Sequence, residues 1–353
     1  MSDTLGNAAP DEGSKAPPVP PVALRTYTAI RVGVVAVILA LGFAVWREIV
    51  NSPQACVQRS LSAYYYTPVR PMFVGALLVI GFAMIVMWGK TAIEDATLNL
   101  AGLLLIVVAF VPTLDANYCS IRTSAGRTVS SPESKQIADN ALIQANAATV
   151  ARSFSALLFM LWVLLIVIPI AGWITYRNAQ KRFEENPKDD RRPNSEALRA
   201  YVITWVLSLL VVIIYTVLYQ DADNLDSAFN HKLHAWSANI AVVLIIVAVG
   251  SAARQKAKEA KRGHPAAKKW SRFYAAIAVA MALAALIIKG GDTLDLFSGW
   301  WDDHATFMVE AILIGLLGIF WSLQTIDRRN EGAPNFERAP AKRPDTDPKV
   351  QAA

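Results

Sequence analysis

Apolar and polar positions along this chain fall into long alternating blocks. Eight apolar blocks run at approximately 30–46, 71–89, 98–114, 151–176, 200–219, 235–253, 273–289 and 305–325. A membrane-crossing helix needs about 20 mostly apolar residues, with roughly 17 to 25 acceptable. The pattern therefore predicts an all-α, polytopic membrane helix bundle of about eight transmembrane helices. The seventh block is rich in alanine, yet no charge lies between Phe273 and Ile288. Pro169 is the one proline well inside a predicted span, and no internal repeat divides the chain into halves.

Polar segments flank the blocks. Up to Leu24 the chain holds five prolines and little that could build a core. Residues 1–28 thus read as a disordered, Pro-rich tail, and residues 327–353 as a second one. Residues 29–326 make up the transmembrane domain. The first apolar block has no small-residue cleavage site behind it, so it reads as a span rather than a signal peptide.

Composition agrees. The 353 residues are 54% hydrophobic and only 18% charged, against about 25% charged in an average soluble domain. The net charge of +6 raises the question of nucleic acid. The basic residues, however, cluster between apolar blocks, as membrane topology requires, so no nucleic-acid partner is expected. Most Lys and Arg fall on one side if both termini are cytoplasmic. The loops "RNAQKRFEENPKDDRRPNSEALR" and "RQKAKEAKRGHPAAKKWSR" dominate that side. An even number of spans, both termini cytoplasmic and a bacterial plasma (inner) membrane location follow as expectations. Membrane lipids are the expected partners, with envelope proteins as further candidates. The basic loops should attract anionic lipids of the inner leaflet.

With that topology, Cys56 and Cys119 occupy the first two external loops. On an oxidising face they can close a disulfide; two free thiols are the alternative.

Polar residues collect at the same end. His231, His234 and His304 fall at external helix ends, with Asp115, Asp221, Asp223, Asp226, Asp302 and Asp303 beside them. The i, i+3 pair in "HKLHAWSA" puts His231 and His234 on one helix face. With His304 they form a speculative zinc site, with carboxylates completing it and a position left for water. Two histidines at a helix mouth are as readily ordinary interfacial residues. Glu310 lies inside an apolar block, where an ionisable side chain is costly and usually faces a partner or a wet cavity. It reads either as a proton donor or base, or as a packing bond between helices. Tyr201, Trp205, Ser208, Tyr215 and Tyr219 form a stripe on the fifth span that reads as helix packing. Asp95 is placed to cap the third span, and Asn99 to bond a neighbouring helix.

The stretch "SLSAYYYTPVR", residues 60–70, precedes the second span. Tyr64, Tyr65 and Tyr66 read as an interfacial collar, with Thr67 capping the helix and Pro68 at its first position. Arg70 would neutralise a lipid phosphate or pair with an external Asp.

Several landmarks together resemble a known family. "SLSAYYYTPVRPMFVGALLVIG", "IEDATLNLAGLLLIVVAFVPT", "LHAWSA" and "HATFMVEAILIGLLGIFW" are similar to the pattern of a widespread family of bacterial multi-pass membrane proteins without an assigned activity. The resemblance covers about residues 60–325. It implies that Ser62, Tyr65, Arg70, Asp95, Asn99, His234 and Glu310 belong to the family pattern. A more distant likeness is to the membrane hydrolases that include alkaline ceramidases, whose site joins Ser, Asp and three His around zinc. Here the helix reads HxxH rather than HxxxH, and the second span has no Ser-x-x-x-His.

Two function classes follow. One is a hydrolase or transferase acting on a lipid or lipid-linked envelope substrate at the outer face. His234, His304, Asp303 and Glu310 would form its catalytic group, and Arg70, Tyr65 and Ser62 would contact substrate. The other is a non-catalytic membrane protein, either a proton-coupled carrier or a scaffold for envelope proteins.

Overall fold

The architecture is that of a computed structural model. It describes residues 21–52, 55–87, 89, 91–111, 113, 119, 149, 152–167, 169–170, 173–174, 177–178, 181, 195–220, 228–294 and 296–328. Asp115, Asp221, Asp223 and Asp226 lie outside these residues. Within them the chain is helical and no strand occurs. The helices are α1 (Pro21–Asn51), α2 (Arg70–Val86), α3 (Ala92–Phe110), α4 (Arg152–Val167), α5 (Ser195–Gln220), α6 (Ala228–Lys261), α7 (Ala267–Thr293) and α8 (Trp300–Asp327). A short 3₁₀ turn, Ser62–Tyr66, precedes α2.

Among the described residues, five helical stretches are long and apolar enough to cross a membrane: Arg25–Asn51, Ile93–Phe110, Leu233–Lys261, Ala267–Gly291 and Trp300–Asp327. Three shorter apolar helices, Arg70–Val86, Arg152–Val167 and Tyr201–Val217, coincide with the remaining apolar blocks. The outward faces support the same conclusion. Leu39, Phe43, Trp46 and Val50 form an exposed stripe on α1, and Trp236, Ile240, Val243 and Val247 form one on α6. Ile312, Ile319 and Ile326 repeat every seven residues along α8. A protein facing water rarely displays apolar patches of this extent. The chain is a multi-pass helical membrane protein.

Helices α1, α2, α3, α6, α7 and α8 pack in that order, and α8 returns to α1, so the six close a ring. One buried cluster fills it, with Val34 and Ile38 of α1, Met84 of α2, Ala101 of α3, Ala248 and Ala252 of α6, Tyr274 and Met281 of α7, and Leu317 and Trp321 of α8. Helices α4 and α5 sit beside the ring. Leu157 and Leu161 of α4 join Val212 and Tyr215 of α5 against Leu104 and Val107 of α3. Two members of the expected stripe on α5 pack: Trp205 donates to the Leu165 carbonyl, and Tyr215 bonds Ser237, while the Tyr219 side chain lies outside the described residues. Gly81 and Gly102 let α2 and α3 approach closely. A Cβ on Gly81 would lie 2.7 Å from the Gly102 carbonyl oxygen.

Several helix ends differ from the sequence reading. Helix α1 already begins at Pro21, inside the expected tail, because no glycine intervenes before the apolar block. Helix α2 starts at Arg70 rather than Pro68, and it is Pro71 that sits in its first turn. The Thr67 hydroxyl turns back to the Tyr64 carbonyl and closes the 3₁₀ turn instead. Thr91, not Asp95, caps α3 by accepting the Glu94 N–H. Asn99 bonds Asp95 within its own helix.

One end of the bundle is tied by buried charges. Arg328, just after α8, donates to Glu94 of α3 at 3.2 Å, both side chains being almost wholly buried. Arg31 of α1 donates to the Arg328 carbonyl. Lys256 of α6 pairs with Asp327 at 2.9 Å, and Tyr274 of α7 donates to the same carboxylate. Charges taken out of water are costly unless each finds a partner; here α8 supplies the partners. Asp327 and Arg328 therefore belong to the bundle and not to the tail expected from residue 327.

Candidate functional site at the opposite end of the bundle

The segment 57–66 is the hub of the other end, and α8 holds it chiefly through main-chain groups. Arg59 pairs with Asp303. The Phe307 N–H donates to the Arg59 carbonyl at 2.9 Å. His304 Nε2 faces the Val57 carbonyl at 3.2 Å, and its Nδ1 faces the Trp300 carbonyl one turn earlier. Asp303, Phe307 and Glu310 recur at i, i+4 and i+7, a spacing that puts them on one helix face. Glu310 completes the contact, its Oε2 accepting the Leu61 N–H at 2.6 Å.

A disulfide between Cys56 and Cys119 fixes the segment from the other side, with Cα atoms 5.7 Å apart. Tyr66 adds a bond to the Thr113 carbonyl. The hub thus joins α8 to the stretch that follows α3.

At the centre lies the Ser62 hydroxyl. It is 3.1 Å from His234 Nε2 and 3.4 Å from Glu310 Oε1. His234 Nδ1 faces the Val111 carbonyl at the end of α3. A carbonyl only accepts, so Nδ1 carries the proton of the neutral ring, and the Nε2 lone pair points at Ser62. Ser62 and His234 are both buried, whereas Glu310 is partly open. Lys289 of α7 donates to Thr306 at 3.0 Å, with its charge acting on Glu310.

Ser62, His234 and Glu310 are thus brought together, with the one Ser62 hydroxyl proton able to serve either His234 Nε2 or Glu310 Oε1. Asp303 and His304 hold the hub one or two turns away. Tyr64 and Tyr65 do not form a lipid-facing collar: they are 0% and 2% exposed, within a cluster containing Leu41, Phe73 and Val108. Burial pushes the Tyr64 phenol up to about 12. Burial also raises that of Tyr65, which the Arg70 guanidinium over its ring partly offsets. Arg70 donates to the Tyr65 hydroxyl.

Of the speculative zinc ligands, His234 and His304 have described side chains. Both ring nitrogens of His234 and both of His304 face hydrogen-bonding partners. Among the described residues no three His, Cys, Asp or Glu side chains converge as a metal would need. The His231 side chain lies outside the described residues.

Sequence reasoning missed the roles of Arg59, Val111, Thr113 and Lys289. A basic residue in the loop holding Cys56 was a signal for an Asp303 partner. The main-chain acceptors carried none, because any residue has a carbonyl.

Comparison with protein-family models, with curated proteins and with solved structures finds no match to this chain.

Proposed function

We propose that this is an eight-span plasma-membrane protein with cytoplasmic termini that acts at its extracytoplasmic end as a hydrolase or transferase on a lipid or lipid-linked substrate. The observation that carries the reading is the group Glu310, Ser62 and His234, three side chains from α8, the 3₁₀ turn and α6. A neutral His234 can take a proton at Nε2, and Glu310 can hold or return one across the Ser62 hydroxyl. General acid–base groups of this kind contribute about 10²–10⁴-fold to rate. The basic loops support an orientation with the buried-charge end inside and the hub outside.

The test is lipid turnover by the full chain in vesicles of mixed phospholipid, glycolipid and lipid-linked sugar, followed by mass spectrometry. Wild type should consume one lipid class, and His234→Gln, matched for thermal stability, should lose at least about 100-fold in rate. No turnover of any class by wild type, or an unimpaired variant, would overturn the reading.

A further inference from the structure

We infer that Ser62 is a nucleophile, with His234 as its base, and that the substrate is a carboxylic ester of a membrane lipid. This rests on the reading above and makes it specific. A serine becomes reactive when a base within hydrogen-bond reach takes its proton and a third group orients that base. All three parts are present: Ser62 Oγ, His234 Nε2 at 3.1 Å, and the Val111 carbonyl holding Nδ1. The third group is a neutral carbonyl rather than a carboxylate. It fixes the tautomer without stabilising the imidazolium by a full charge.

The surroundings set the depth of the site. Glu310 lies about 15 Å along α8 from Trp300, below the paired indoles of Trp300 and Trp301. Ring pairs of that kind mark the membrane–water boundary. That depth is about half of a hydrocarbon core roughly 30 Å thick, so the ester bond of a lipid must be drawn down from the boundary to reach Ser62, on the side of Glu310, the partly open member of the group.

The chemistry balances without an added reagent. Ser62 Oγ bonds to the ester carbonyl carbon while its proton passes to His234 Nε2. The carbon–oxygen bond to the alcohol then breaks, and the departing alkoxide takes that proton. Water, or a second alcohol, cleaves the acyl-Ser62 ester by the same steps, returning the hydroxyl and the neutral imidazole.

The experiment is covalent labelling of the full chain in membranes with a small fluorophosphonate and with an alkyl-chain fluorophosphonate. Adducts are located by mass spectrometry, alongside lipid turnover. The expected result is an adduct on Ser62, formed at least about 100-fold more slowly in His234→Gln. No adduct at saturating probe, an adduct elsewhere, or equal rates in the two proteins overturns the proposal. Lipid turnover that persists in Ser62→Ala overturns this assignment alone and leaves the broader reading standing. Absence of both turnover and adduct removes both.

Discussion

Ser62 Oγ and His234 Nε2 meet at 3.1 Å although 172 residues separate them in the chain. Their meeting depends on Glu310, which holds the Leu61 N–H and thereby sets the turn that aims Ser62. Replacing Glu310 should therefore have graded effects. Glu310→Gln keeps an acceptor for the Leu61 N–H, whereas Glu310→Ala leaves that donor bare. The alanine variant should be less stable than the glutamine variant by about 1–3 kcal/mol. Thermal unfolding in detergent checks this, and equal midpoints would show that Leu61 finds another partner.

The disulfide closes a loop of the hub across a sequence separation of 63 residues. Replacing both Cys56 and Cys119 by alanine should cost about 2–4 kcal/mol. Thiol labelling of the unfolded wild-type chain should find two reactive cysteines only after reduction. Two reactive thiols without reductant would contradict the bond.

At the opposite end, Glu94 and Arg328 form an almost fully buried pair. Glu94→Gln alone should destabilise by about 3–5 kcal/mol, because it removes a buried counter-charge from the Arg328 guanidinium. Adding Arg328→Met should recover much of the loss. A double-mutant cycle that gave purely additive effects would rule out the coupling.

The α2–α3 crossing has room for hydrogen alone at Gly81 and Gly102, since a Cβ on Gly102 would clash with the Gly81 carbonyl oxygen. Gly102→Ala should cost about 1–3 kcal/mol. Gly42→Ala, on α1 where a Cβ meets nothing within 4 Å, should be neutral or stabilising. Paired melting curves decide the matter; similar curves would mean that the crossing gives way easily.

Tyr64 sets an alkaline limit. Its pKa is raised by burial to about 12 from the ordinary phenol value of 10.0, so the unfolded chain loses this proton first as pH rises. The stabilisation is therefore full below about pH 10 and lost between about 10 and 12. Its size is roughly 2–3 kcal/mol, at about 1.4 kcal/mol per unit. The unfolding free energy measured across that window should fall more steeply for wild type than for Tyr64→Phe. Parallel curves would mean that this phenol does not control the transition.

The apolar blocks made the helices legible, because a span is specified by its own residues. The same was true of single oddities: an acid inside a block singled out Glu310, and helix-mouth position singled out His234. Partnerships were not legible. Ser62 read as a substrate contact because nothing local shows that His234 will stand beside it. Tyr64 and Tyr65 read as a collar because aromatics at a span boundary usually face lipid, whereas here the 3₁₀ turn folds them inward. Asp327 and Arg328 read as tail because their partners, Lys256 and Glu94, lie 71 and 234 residues away.

The double role of α8 has a consequence for biosynthesis. This helix follows every other described one in chain order, yet it supplies partners at both ends of the bundle and closes the ring against α1. Until it emerges from the ribosome and inserts, Glu94 and Lys256 lack their C-terminal counter-charges and the segment 57–62 lacks its contacts to α8. The nascent bundle is held open from its first span to its last. Chains that stop short of α8 should persist as loose helices, marked for removal by membrane quality control.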